Sequence, residues 1–151
     1  MSSLTIDSTR FGRIDVQPET VIAFPEGLIG LGGSRYTLVA NNPGSPFLWL
    51  HSLDDGGLAL PVTNPRHFFP EYTLELGESE AQRLGIDERT PIDVYVTVRA
   101  APVLADFFAN LRAPIVIHAN VGHQVINQAP GSELRVPLFP AQDGLASSSA
   151  A

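Results

Sequence analysis

A histidine, a serine and an aspartate lie close together in the chain and are the residue types of a nucleophilic hydrolase. His51 and Ser52 are adjacent, and Asp54 follows within an otherwise apolar run. Successive side chains of a strand point to opposite faces, so an extended run cannot join His51 and Ser52 in a proton relay. The chain also has no Gly-x-Ser-x-Gly nucleophile elbow. We therefore expect no catalytic residues and no enzymatic activity.

Four histidines could in principle bind a metal: His51, His67, His118 and His123. His118 and His123 could meet across a hairpin, but two ligands do not make up a zinc site. The chain has no cysteine, which excludes thiolate zinc sites, iron–sulfur clusters and disulfides. Packed or solvated histidines are the simpler interpretation, and we expect no metal and no cofactor.

The glycine-rich stretch at residues 27–33 resembles a phosphate-binding loop only in composition. No Lys-Ser or Lys-Thr follows it, and Arg35 stands where a dinucleotide fingerprint has its third glycine. No helix is predicted after the stretch, so the usual anion site at a helix N-terminus is missing. An apolar loop over the core is the favoured interpretation.

The charge balance is acidic, with 16 Asp and Glu against nine Arg and no Lys. This balance argues against direct binding of nucleic acid and favours basic partners, although a role in solubility alone is the simpler explanation. An acidic run (Glu71, Glu75, Glu78, Glu80) is typical of a solvated face, and it could also attract an arginine-rich partner. No apolar run is long enough to cross a membrane and no secretory segment is evident, so we expect a cytoplasmic protein without membrane contact.

The strongest structural signal is an apolar hairpin at residues 47–65. Two apolar runs flank the turn-forming residues Asp54-Asp55-Gly56-Gly57. The first run contains Trp49, the only tryptophan of the chain, which we expect to anchor the core. Pro61 has no N–H to donate, so the return strand is predicted to be an edge or a bulge at that point.

Short alternating runs predict strands in most of the remaining chain. They are residues 4–7, 13–16, 21–24, 36–40, 72–76, 92–99, 114–119 and 124–126, with turns at 9–12 and 120–122. Ser79 is the predicted N-cap of a short helix at 80–84 that ends at Gly85. Residues 105–111 fit either a helical turn or an irregular loop. The pattern predicts a mainly β fold, a small antiparallel β-barrel or sandwich with one short helix, in a single domain over 1–140 and a disordered Ala/Ser-rich tail over 141–151.

Apolar residues between prolines are the candidates for binding. They lie in the aromatic loop 66–70 and in the segment 104–111, where Phe107 and Phe108 are adjacent and cannot both point inward in regular structure. One interpretation is that these rings cap an open end of the barrel. The other is that one ring anchors a partner, since aromatic side chains dominate interface hot spots.

Several short motifs, in this order and spacing, resemble the FliW family of flagellar assembly factors. They are Phe24-Pro25-Glu26-Gly27-Leu28 with Gly30, Trp49-Leu50 before Ser52, Pro61-Val62 with Asn64-Pro65, Ala109-Asn110-Leu111 with Ala113-Pro114-Ile115-Val116-Ile117, and Gly122 with Gln124-Val125. Each fragment is weak alone, but the set spans residues 11–125.

The resemblance implies a small β-barrel-like monomer without enzymatic activity that acts in the cytoplasm. It implies two protein partners, flagellin and the RNA-binding translational regulator CsrA. Binding of CsrA would relieve repression of flagellin translation, so the protein would act as a partner switch. We expect the contact region at Asn110 and Leu111 with Pro114, Phe107 and Phe68.

Two other classes of function stay open at this stage. A small-ligand-binding β-barrel would use Trp49 and the glycine-rich loop as a pocket. A zinc enzyme would use His118 and His123.

Overall fold

The structure is a computed structural model, and it describes residues 4–28, 34–40, 42, 44–87 and 89–139. In these residues the chain forms short strands and one short helix. They are β1 (Leu4–Ser8), β2 (Gly12–Val16), β3 (Ile22–Ala23), β4 (Arg35–Val39), β5 (Phe47–Ser52), β6 (Ala59–Thr63), α1 (Glu78–Leu84), β7 (Asp93–Arg99), β8 (Phe108–Ala109), β9 (Ile115–His118), β10 (Val121–Gln124) and β11 (Val136–Pro137). The predicted tail at 141–151 and most of the glycine-rich loop lie outside the described residues.

Seven strands close into a barrel. The order β7-β6-β5-β4-β3-β10-β9 returns to its start because β7 also pairs with β9. The pairs are antiparallel except for a short parallel contact between β3 and β10. β8 and β11 extend the sheet from the far end of β7, and β1 and β2 form a separate hairpin. The predicted class, a mainly β antiparallel barrel with one short helix, is confirmed.

The barrel interior is filled by side chains that alternate inward along these strands. Eight buried apolar residues form this core: Ile22, Phe24, Leu28, Tyr36, Leu50, Val62, Ile115 and Ile117. The rings of Phe24 and Tyr36 meet edge to face at 5.3 Å between centroids. Gly122 makes room for Phe24, because a Cβ at that position would lie 2.4 Å from the ring.

The predicted hairpin forms between β5 and β6, with Trp49 opposite Pro61. At Pro61, β6 pairs with β5 but not with β7 among the described residues, as predicted for an edge position, and its pairing with β7 is limited to Val62 and Thr63. Trp49 is half-buried and does not belong to the core, contrary to our expectation. It packs against the β1–β2 turn, where Phe11 lies 5.7 Å from its ring and Arg10 stacks on it at 4.2 Å.

Residues 72–76 are not a strand, contrary to the prediction. They run in irregular conformation across the outer face of the barrel. Together with α1 they cover Val116 and Val125, which point outward from the barrel. Alternation along the segment reflects this one-sided packing, and no ladder partner is in place for it in the described part of the chain.

The helix is confirmed, but its predicted N-cap is wrong. Gly77 is the N-cap, and Ser79 lies inside the first turn. Gly85 ends the helix with φ of 70°, in the left-handed region that glycine adopts without strain.

The last strands differ from the prediction in their boundaries. The β9–β10 turn consists of Ala119 and Asn120, both with positive φ, and not of residues 120–122. Residues 105–111 divide into a 3-10 turn at Leu104–Asp106 and the strand β8. β11 was not predicted. Its Pro137 pairs with Phe108 at the sheet edge, where a proline discourages further strand addition.

Candidate protein-interaction site

Four phenylalanine rings gather where β8 and β11 extend beyond the barrel. Phe68 lies 5.5 Å from Phe47 and 5.4 Å from Phe139, and Phe107 lies 6.3 Å and 5.6 Å from the same two rings. All four are half-buried. We call this group the aromatic end. Partly exposed aromatic rings, phenylalanine included, are enriched at protein interfaces.

A shallow depression of about 340 Å³ adjoins the aromatic end. Phe68, Phe69 and Tyr72 line one side, and Leu111 with residues 129–132 lines the other. We call it the Leu111 depression. Leu111 itself is only 5% exposed, so it forms the floor and not the rim.

Asn110 is engaged within the chain. Its Oδ1 accepts hydrogen bonds from the N–H groups of Arg112 and Ala113, both at 3.1 Å, and its own N–H donates to Thr97 at 3.0 Å. This arrangement turns the chain from β8 toward β9. Pro114 is fully buried and its carbonyl accepts from the N–H of Val125.

The predicted contact residues therefore separate into two groups. Phe68, Phe107 and Leu111 share one apolar cluster beside a depression. Asn110 and Pro114 shape the backbone that supports it. Their assignment as contact residues stays a prediction.

Sequence reasoning missed Asn127, which is 3% exposed. Its Nδ2 donates to the Tyr72 hydroxyl at 3.0 Å and to the Thr73 carbonyl at 2.9 Å. Its Oδ1 accepts from the N–H groups of Glu75 at 2.9 Å and Ala129 at 3.0 Å. This side chain fixes the irregular segment 72–75, which forms one wall of the depression. A single polar residue after an apolar strand gives no sequence signal for such a role.

A larger groove of about 850 Å³ lies on the other side of Tyr72. It is bounded by the end of β6, the segment 74–76, the end of α1 and the start of β7. We call it the β6–β7 groove. Charged side chains among its lining residues are Arg66, Glu75, Asp87 and Asp93. Asp87 is ionised at neutral pH, and hydrogen bonds from the N–H of Arg89 and the hydroxyl of Thr90 lower its pKa, so the carboxylate stays charged further into acid.

The histidine and serine side chains do not form a catalytic pair facing a cleft. His51 is fully buried, and its Nε2 lies 2.8 Å from Ser8 Oγ while its Nδ1 lies 2.8 Å from the Ser52 carbonyl. Ser52 Oγ accepts from the N–H groups of Asp54 and Asp55 at 3.0 Å. These are structural contacts that tie β1 and the β5–β6 turn to the barrel.

The register of the β9–β10 hairpin keeps His118 and His123 out of direct opposition. His118 pairs with Val121, and His123 pairs with Val116. The described residues contain no group of three or more potential ligands that could hold a metal. They also contain no helix that is long and apolar enough to span a membrane.

Fold and site together define a small β-barrel protein with three surface features: the aromatic end, the Leu111 depression and the β6–β7 groove, whose charged lining is mostly acidic. The FliW protein family model matches residues 5–138. The chain belongs to the FliW family of flagellar assembly factors.

Individual relatives agree with this assignment. The chain is 34% identical over 139 residues to the flagellar assembly factor FliW of Desulfitobacterium hafniense strain Y51, which covers 90% of this chain and 91% of that protein. It is 40% identical over 119 residues to FliW of Syntrophus aciditrophicus, covering 77% and 74%. A crystal structure of the flagellar assembly factor FliW superimposes with a TM-score of 0.80 at 28% identity, covering 91% of this chain and 99% of that one.

Proposed function

We propose that this protein is a cytoplasmic flagellar assembly factor that binds flagellin and the translational regulator CsrA and has no catalytic activity. The observation that carries the proposal is the family match, which extends over nearly the whole described barrel. Captured CsrA no longer represses the flagellin message. Free flagellin competes or couples with CsrA for this protein, so each partner shifts the binding of the other by mass action.

Charge supports the regulatory half of the proposal. The chain has a formal net charge of −7 at pH 7. A regulator that binds RNA presents basic surface, and docking an acidic protein on or near that surface weakens its attraction for phosphate. An acidic barrel can therefore oppose RNA binding without contacting RNA itself.

The Leu111 depression and the aromatic end are the proposed contact surface. Half-buried rings lose little conformational entropy when a partner covers them and contribute apolar area at once. Phe68 belongs to both features, which makes it the centre of the proposed surface.

Binding of purified flagellin and purified CsrA by the full chain tests the function. We expect a complex with each partner at micromolar protein, measured by calorimetry or by pull-down. Absence of both complexes would reject the proposed function.

A surface variant tests the location. Leu111→Arg is unsuitable because Leu111 is buried, and we expect an unpaired arginine there to destabilise the domain. Thr73 is exposed and lines the depression, so Thr73→Arg places a bulky charged side chain in it. Thr5→Arg, at an exposed position of β1, is the matched control. We expect Thr73→Arg to weaken at least one complex and Thr5→Arg to leave both intact. Equal binding by the two variants would move the contact surface elsewhere.

A further inference from the structure

The barrel wall has a gap where β6 leaves β7. The pairing of the two strands ends at Thr63 and Val96. Pro65 then begins a 3-10 turn, which Asn64 caps by accepting from the N–H of Arg66 at 3.0 Å. β7 starts earlier, at Asp93, where it pairs with β9. Within the described chain, the first residues of β7 thus have a paired strand on one side only.

The hydrogen-bonding pattern shows which backbone groups face this gap. The N–H of Asn110 donates to the Thr97 carbonyl at 3.0 Å, so the polar backbone groups of Thr97 point toward β8. Polar backbone groups alternate in direction along a strand. Those of Asp93 and Tyr95 therefore point to β9, on the same side as β8. The N–H and C=O of Val94 point the opposite way, to the side that β6 has left.

The β6–β7 groove lies on this side. Val94 and Pro65 both line it. Its apolar lining includes Leu74, Leu76 and Ile92. Its lining includes three carboxylates and only one guanidinium, that of Arg66. The guanidinium is already engaged, since it donates to the Tyr72 carbonyl at 3.3 Å. The groove thus combines a free strand edge, apolar contact area and a net negative rim.

We propose that the β6–β7 groove binds an extended segment of a partner protein in which apolar and basic residues alternate, and that this segment adds as a strand along Val94. Strand addition obtains affinity from main-chain hydrogen bonds and specificity from alternate side chains. Alternation directs one set of side chains to the apolar lining and the other set to the rim. The carboxylates of Glu75, Asp87 and Asp93 favour arginine or lysine there and repel an acidic segment.

The β6–β7 groove is a second surface, and strand addition is a mode of binding that the proposed function does not include. Tyr72 separates the groove from the Leu111 depression, since it lines both. The inference can therefore fail while both flagellin and CsrA bind, and it can hold while neither does.

A designed peptide tests the groove directly. The probe is a synthetic hexapeptide that alternates arginine and valine, titrated into the full chain labelled with ¹⁵N. We expect the amide resonance of Val94 to shift and its hydrogen exchange to slow. Two comparison peptides separate the contributions: one replaces arginine by glutamate, and one carries N-methyl groups on alternate amides. Each should bind at least about tenfold more weakly, the ratio expected when one charge-complementary or main-chain contribution is lost.

A pair of charge reversals locates the site. Glu75→Arg reverses an exposed carboxylate in the groove lining, and Glu133→Arg reverses an exposed carboxylate outside it. We expect Glu75→Arg to weaken the arginine–valine peptide roughly tenfold and Glu133→Arg to leave its affinity nearly unchanged. The proposal is overturned if the peptide leaves Val94 unshifted, if the N-methylated or glutamate peptide binds equally well, or if both variants behave alike.

Discussion

Replacing Asn127 by alanine should destabilise the domain, because this one buried side chain holds the irregular segment 72–75 against the barrel. Asn127 makes four side-chain hydrogen bonds at 2.9–3.0 Å while only 3% exposed. Alanine would leave four polar groups without their partner: the N–H of Glu75, the N–H of Ala129, the carbonyl of Thr73 and the hydroxyl of Tyr72. Each net hydrogen bond contributes about 1 kcal/mol to stability.

The expected loss of stability depends on how many of these groups can form hydrogen bonds to water in the variant. Glu75 and Thr73 belong to exposed residues, whereas Tyr72 and Ala129 are buried. We therefore expect a loss below the sum of four bonds, about 2–3 kcal/mol in the free energy of unfolding. For a chain of this length that corresponds to a fall in Tm of about 5–10 °C.

Urea denaturation and a thermal scan of Asn127→Ala measure this loss. Asn64→Ala is the matched control, because Asn64 is exposed and its side chain accepts one hydrogen bond, from the N–H of Arg66. The control should lose no more than about 1 kcal/mol. Hydrogen exchange should also speed up at the amides of Glu75 and Ala129. If the two variants lose the same stability, or if those amides keep their protection, the side chain of Asn127 does not hold segment 72–75 in place.

Three further changes test other parts of the fold. Gly122→Ala should cost about 1–3 kcal/mol by urea denaturation, because its Cβ would lie 2.4 Å from the Phe24 ring. Ala119→Gly should stabilise by up to about 1 kcal/mol, because Ala119 has φ of 51° and glycine adopts that conformation without a steric penalty. The pKa of Asp54 is lowered, chiefly by its side-chain hydrogen bond with Arg35, so the stability it contributes is present above the ordinary value of 3.8 and is lost as pH falls through the folded-state value. The difference in Tm between the natural protein and Asp54→Asn should accordingly shrink in acid.

Each of these has its own control. Gly57→Ala meets only ordinary contacts, with the nearest atom at 3.4 Å, and should cost less than Gly122→Ala. Equal costs would mean that Phe24 yields to the new methyl group. A loss of stability in Ala119→Gly would show that chain entropy outweighs the strain at this turn. A Tm difference for Asp54→Asn that stays constant through acid would show that the ion pair contributes nothing to folding.

The strand pattern predicted most of the barrel, because alternation reports which face is buried. Alternation does not show whether a segment that buries one face is also hydrogen-bonded to a neighbouring strand. Residues 72–76 alternate because Leu74 and Leu76 pack inward, yet their backbone is held by Asn127 and Gln128 and not by a strand. Pairing between segments distant in sequence decides that question, and local periodicity carries no information on it.

The candidate site was predicted only in part, for a related reason. Residue type identified the apolar pieces Phe68, Phe107 and Leu111, and folding brings them into one cluster. The β6–β7 groove had no sequence signal, because it exists only where β6 diverges from β7. The N-cap was predicted wrongly because serine is a common capping residue. The chain enters the helix at Gly77, which has no side chain to cap it, so residue type could not identify this position.

The motifs that place this chain in its family are mostly the residues that hold the barrel together. Gly122 admits Phe24, Asn110 turns the chain toward β9, and Pro114 is fully buried. A substitution at any of them perturbs folding first, so a loss of partner binding there is no evidence of contact. The exposed rims of the Leu111 depression and of the β6–β7 groove are formed largely by residues outside these motifs, such as Thr73 and Asp87. Chains that share this barrel can therefore differ in partner affinity without any change in fold, and the informative substitutions are those that alter a rim and leave Tm unchanged.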